Sequence, residues 1–224
     1  MPHCMIRDFV TVRLVRFSKI SVEVKCLLIS VSTLMFCVPL YASAQHRNSS
    51  IRSIGFANFK YPGSRGLFTT SEYKTNSFVL QNGRSIQTSK QYGMSLVEVS
   101  FGDITGDGVE EAMVVLNVET DGSAGVDHVY LYRFQGGKPV FLWGFESGDR
   151  AWGGLKQVYA NGGNLIIELY GKGTQIGGAL GVTEPVGLCC PRSFTRTRYK
   201  WQCNRFRQQG QPEILLVPGQ RDSR

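Results

Sequence analysis

The sequence predicts an all-β fold: a mainly antiparallel meander whose sheet is rolled or stacked on itself, with few or no helices. Three observations carry this expectation. Short apolar stretches recur between Gly or Asn turn signals. Several of them alternate apolar and polar residues with period two. No stretch sustains the 3.6-residue period of an amphipathic helix. Roughly ten strands at this short spacing suit a single sheet-dominated domain that hides its apolar face by closing or stacking.

The domain is expected to start near Ile51 and to end at Pro218. Phe78 to Leu80 precedes Asn82-Gly83, a strong hairpin turn. Leu96 to Phe101 alternates, which places Val97, Val99 and Phe101 on one face and Glu98 and Ser100 on the other. Ala112 to Val118 is apolar on both faces and reads as a central strand. Val126 to Phe134 and Val140 to Phe145 flank Gly136-Gly137, while Val158 to Ala160 and Leu165 to Tyr170 flank Gly162-Gly163, so both pairs read as hairpins. Gly171 to Gly187 is glycine-rich without a strand pattern and reads as a long loop. A last strand pair covers Phe194 to Trp201 and Cys203 to Gln208, and a short apolar tail follows from Ile214 to Val217.

Residues 1–44 read as a secretory signal peptide. Arg7, Arg13, Arg16, Lys19 and Lys25 precede an apolar run from Cys26 to Leu40, and Ala42-Ser43-Ala44 has the small-x-small form of a cleavage site. The alternative is an uncleaved anchor, since about 15 apolar residues nearly cross a bilayer. Cleavage leaves 180 residues with no further transmembrane span, of which 45–50 and 219–224 are expected to be disordered. This assigns the mature protein to the periplasm or the extracellular space. All 26 glycines lie in that part, without the Gly-X-Y period of collagen. A 42 % hydrophobic content argues against disorder.

One acidic loop carries chemical information. In FGDITGDGVEEAMVVLNV, Asp103, Thr105 and Asp107 stand at i, i+2 and i+4, Gly108 follows, and Glu111 is ninth. Calcium takes six to eight hard oxygens on a flexible loop, and this spacing offers side-chain oxygens from these four residues and the carbonyl of Val109. An EF-hand is excluded, because its twelfth position is Val114 rather than a bidentate Glu. The segment resembles the calcium loop of FG-GAP and VCBS-type modules. It is also similar to uncharacterised bacterial exported proteins, including the LppP/LprE-type lipoproteins, in which D-x-T-G-D-G-x-x-E-A joins two strands. The resemblance implies export and β structure, and it brings no established activity. Two departures stand out: the chain has one copy where a propeller would repeat the loop, and Thr105 is a neutral ligand. A calcium site of this kind belongs to the weak extracellular range, about 0.1–1 mM. The competing reading is a tight turn with solvated acids.

Net charge marks a second candidate. The 25 lysines and arginines and 17 acids of the chain become 20 and 15 once the leader is removed. Six of those 20 cations fall between Arg192 and Arg207, a stretch without an acid. Alternation puts Arg196, Arg198 and Lys200 on one strand face and Arg205 and Arg207 on one face of the next, an anion-binding candidate for phosphate-bearing lipid or a polyanionic saccharide. The plainer reading is a solvated outer face guarded against edge pairing. Nucleic acid is not an expected partner of an exported protein.

Three cysteines remain after cleavage: Cys189, Cys190 and Cys203. Adjacent cysteines bridge each other only with strain, so a Cys203 disulfide with Cys189 or Cys190 is the expectation. Zinc lacks ligands, since the mature histidines are only His46 and His128. His128 shares strand register with Tyr130, Tyr132 and Phe134 and reads as a packed residue rather than a catalyst. Trp143 alternates with Phe141 and Phe145 and reads as core. These features favour a non-enzymatic exported β-domain acting in envelope or extracellular interactions. The alternative is a thiol-dependent or hydrolytic enzyme built around Cys189 and Cys190.

Overall fold

Eleven strands form two antiparallel sheets in the computed structural model, which describes residues 50–63, 77–85, 93–119, 125–148, 153–173, 176 and 191–219. Residues 1–49, which include the expected leader, most of the 171–187 segment, Cys189, Cys190, and residues 220–224 lie outside the described residues. Two 3₁₀ turns, Ile51–Ser53 and Phe56–Asn58, lead into β1 (Lys60–Tyr61), β2 (Phe78–Gln81), β3 (Arg84–Ser85), β4 (Gly93–Gly102), β5 (Glu111–Glu119), β6 (Val126–Gln135) and β7 (Lys138–Glu146). These seven strands pair in sequence order and the sheet curls into a half-barrel. β8 (Leu155–Ala160), β9 (Leu165–Tyr170), β10 (Ser193–Gln202) and β11 (Arg205–Leu216) make a second sheet in the order β11-β10-β9-β8. The all-β expectation therefore holds.

Both faces of the seven-stranded sheet are buried, and β5 shows why. Ala112, Val114, Leu116 and Val118 face a cluster with Tyr130, Tyr132, Leu80, Met94 and the amino-terminal Ile51, Phe56 and Tyr61. Met113 and Val115 face the opposite way, where Val129, Leu131 and Phe145 meet Val158, Leu165, Ile167 and Leu169 of the second sheet. A strand buried on both sides needs no polar alternation, which is why Ala112 to Val118 reads as one apolar run.

Two β-bulges correct the expected faces. Between Leu96 and Glu98 the β4 register shifts by one residue, so Val97 is left 59 % exposed while Leu96, Val99 and Phe101 pack together. An extra residue inverts the alternation downstream, so the expected Val97, Val99 and Phe101 face does not form. A second shift between Leu131 and Tyr132, opposite Leu142, sends Phe141 into the first cluster and Trp143 and Phe145 into the second. The apolar tail from Ile214 to Val217 also differs from expectation, since Ile214 to Leu216 extends β11.

The two sheets come into close contact where Gly102 faces Ala160. A Cβ at Gly102 would stand 2.5 Å from the Ala160 Cβ, a separation that only movement of one strand can relieve. Gly102→Ala should therefore lower stability by about 1–3 kcal/mol through overpacking. In urea denaturation this appears as a lower midpoint with an unchanged slope. An unaltered midpoint would show that the sheets can separate there without cost.

Candidate functional site

The acidic loop bridges β4 and β5, and its own backbone fills it. Asp103 accepts from the Thr105 N–H at 3.1 Å and the Gly106 N–H at 2.6 Å through Oδ1, and from the Gly108 N–H at 2.9 Å through Oδ2. Burial pushes the Asp103 carboxyl upward, but the N–H groups of Gly108, Gly106, Thr105 and Asp107 outweigh it and hold the group below its ordinary value. Gly106 and Gly108 supply the left-handed backbone this wrap requires, at φ 81° and 82°. The loop also touches the β8–β9 turn, where a Cβ on Gly163 would stand 2.9 Å from the Gly106 Cα.

Glu111 is fully buried and points into the loop. Its Oε2 accepts from the Ile104 N–H at 3.0 Å and its Oε1 from the Thr105 hydroxyl at 3.0 Å. The cation that faces it is Arg133 of β6, whose Nε and Nη2 donate to Glu111 Oε1 at 3.0 and 2.8 Å. The same Nη2 donates to Asp107 Oδ2 at 2.8 Å and to the Thr105 hydroxyl at 2.5 Å. Burial raises the Glu111 carboxyl, while Arg133, the Ile104 N–H and the Thr105 hydroxyl pull it down, and burial prevails.

This arrangement does not fit a calcium ion. The oxygens of Asp103 are spent on three N–H groups, and a guanidinium already joins Asp107, Thr105 and Glu111. Val109 contributes its N–H to Asp107 Oδ1 at 3.0 Å. Among the described residues no group of three or more His, Cys, Asp or Glu is placed to hold a metal. Arg133 is the residue that sequence reading missed. The signal lies in strand register: with Asn117 opposite Asp127 and Ala112 opposite Tyr132, Glu111 falls opposite Arg133.

The basic strand pair forms as expected, with one member withdrawn. Along β10, Arg196, Arg198 and Lys200 share the face turned away from Tyr199 and Trp201. Arg196 is occupied there, donating to Glu168 Oε1 at 2.7 Å and lying 3.6 Å from Glu213. Glu168 also accepts from Lys156 and, at 3.1 Å, from the Tyr159 hydroxyl. Arg198, Lys200, Arg205 and Arg207 are exposed and make no ion pair among the described residues. Lys200 stands directly opposite Arg207, with the Arg198–Gln209 and Gln202–Arg205 pairs on either side.

Glu168 gives this surface a pH signature. Burial pushes its carboxyl upward, but Lys156 and Arg196 outweigh it and hold the group below its ordinary value. A depressed folded pKa contributes stability above the unfolded value, about 4.3, that is lost as pH falls through the folded one. Thermal melts of Glu168→Gln and wild type should therefore differ at pH 7 and converge as pH drops below about 4. A gap that persists into acid would assign the effect to packing instead.

The expected partners of Cys203, Cys189 and Cys190, lie outside the described residues. β10 runs from Ser193 to Gln202, so Cys203, in the β10–β11 turn, stands about 30 Å from Ser193 at 3.3 Å per residue. Cys203 itself has a bonding partner.

His128 is fully buried between β5 and β7, with Nε2 3.4 Å from Glu146 Oε2, as its packed register implied. The fold and its polar features thus define an all-β domain of two packed antiparallel sheets, with an arginine-filled acidic loop at one turn and a cationic hairpin at one edge. No family model matches the chain, and no curated protein or solved structure is similar to it at a level that carries an argument.

Proposed function

We propose that this chain is an exported, non-enzymatic β-domain that acts by binding an anionic partner at the cell envelope or outside it, through the outer face of the β10–β11 hairpin. One observation carries the reading. Lys200 and Arg207 are direct cross-strand neighbours, and like charges so placed destabilise the strand pair. Arg198 and Arg205 extend the same field along the hairpin while the nearby acids, Glu168 and Glu213, are engaged by Arg196. A cluster that costs local stability and has no ion-pair partner among the described residues suits an external anion. The export half of the reading rests on the leader sequence. Non-enzymatic action is supported by the burial of His128, the histidine that a Cys189 or Cys190 nucleophile would need as its base.

Retention on immobilised heparin tests the binding reading. Wild type should be retained at low salt and released as ionic strength rises. Changing Arg198, Lys200, Arg205 and Arg207 to Gln should abolish retention and leave the melting temperature equal or slightly higher, because it relieves the Lys200–Arg207 repulsion and exposed charges otherwise contribute little to stability. Equal retention of the two proteins would remove this surface from consideration.

A further inference from the structure

We infer that the anion this hairpin receives is the phosphate of lipid headgroups, so that the domain lies on an anionic membrane surface with the outer face of β10–β11 toward it. The inference rests on the anion-binding reading above and names the partner for that site. Its first support is spacing. Residues two apart on a strand are about 7 Å apart, so Arg198, the Lys200–Arg207 pair and Arg205 form three cationic rows over about 13 Å. Directly opposed side chains add a width of about 5 Å. This footprint is short, suited to several separate phosphates and too small to serve as a track for a long polymer. Three of the four cations are arginines, whose planar fork binds phosphate oxygens in pairs.

The second support is the division of side chains between the faces. Tyr199, Trp201 and Phe206 all lie on the side opposite the cations; Phe206 packs on Trp143 with ring centroids 5.5 Å apart and Trp201 on Phe206 at 4.8 Å. The cationic rows themselves therefore present charge and the amides of Gln202 and Gln209, while the rings on the same sheet face, Phe194 and Tyr159, sit against Lys156 and Glu168. At the hairpin tip, half-buried Trp201 and Phe206 stand beside the exposed Cys203 and Asn204 turn. Among the described residues no helix is long and apolar enough to cross a membrane, so the contact proposed is peripheral.

Co-sedimentation of the full chain with vesicles decides the question. The probes are vesicles of pure phosphatidylcholine and vesicles containing 30 % phosphatidylglycerol (about one lipid in three anionic), each at low and high salt, with heparin retention measured in parallel. The pure phosphatidylcholine arm removes any contribution from apolar segments of the chain. Each cation near an anionic bilayer is worth about fivefold in partitioning. Wild type should therefore prefer the anionic vesicles at low salt, and the Arg198, Lys200, Arg205 and Arg207 to Gln variant should lose at least about 100-fold of that preference. Arg84→Gln with Lys138→Gln, cations outside the hairpin, should change it by less than about twofold per site. Retention on heparin without preference for anionic vesicles would overturn the lipid assignment and leave the anion-binding reading standing. Loss of both would overturn both. An equal preference in wild type and the hairpin variant would move the membrane contact elsewhere.

Discussion

Replacing Arg133 by methionine is expected to lower folding stability by about 3–5 kcal/mol, because it leaves the buried Glu111 carboxyl without its counter-charge. The Glu111 carboxylate would keep the Ile104 N–H and the Thr105 hydroxyl but lose both guanidinium N–H groups. Changing Glu111 to methionine as well should recover much of the loss, since replacing both partners by apolar groups is often near neutral. The double-mutant cycle measured by urea denaturation isolates the coupling. If the single and double variants are equally unstable, the pair is not what holds the loop. In wild type, melting should be the same in millimolar calcium and in chelator, because the guanidinium already bridges Asp107, Thr105 and Glu111. A rise of several degrees with calcium would show that Arg133 yields its place to the ion.

Tyr61→Ala is the second large effect, expected at about 3–5 kcal/mol. β1 is only two residues long and contributes little ladder hydrogen bonding, so its place depends on this ring. Tyr61 is fully buried, stacked on Phe78 at 5.5 Å and edge-on to Phe59 and Tyr130 at 5.0 and 5.3 Å. Its hydroxyl donates to the Phe56 carbonyl at 2.7 Å, which ties β1 to the second 3₁₀ turn. Tyr61→Phe should cost only about 0.5–1.5 kcal/mol, the net worth of that bond. Equal losses in the two variants, read by chemical denaturation, would mean that the hydroxyl rather than the ring secures the strand.

Much of the fold was legible because its signals are local. Asn82-Gly83, Gly136-Gly137 and Gly162-Gly163 all take the left-handed conformations that two-residue hairpins require, so composition alone places these turns. What stayed hidden depends on partners distant in sequence. The bulges at Val97 and Leu142 follow from register against β5 and β6, and no period in the flanking residues announces them. β11 runs through Gly210 and Pro212 to Leu216, past residues that normally interrupt a strand, because an edge strand tolerates a bulge where β10 shifts register. At the candidate sites, spacing put Asp103, Asp107 and Glu111 on one loop correctly. It could not show that Arg133, 22 residues beyond Glu111, closes it. Likewise the basic face was legible from alternation, while the diversion of Arg196 to Glu168 was not.

The double burial of β5 raises a problem of alignment. A strand with one wet face cannot slip by a residue without exposing its apolar side, but Ala112 to Leu116 is apolar in either direction. A one-residue slip against β6 would exchange the two clusters and still leave hydrocarbon against hydrocarbon. The ends of the strand forbid it. Glu111 meets Arg133 at one end, and Asn117 donates to Asp127 Oδ1 at 2.9 Å at the other, both across the same pair of strands. A slip would strand both polar contacts inside the domain at once, where unpaired groups are costly. The acidic loop, whose wording suggests a metal, thereby acts with Asn117 as one of two pegs that fix the alignment of the central strand.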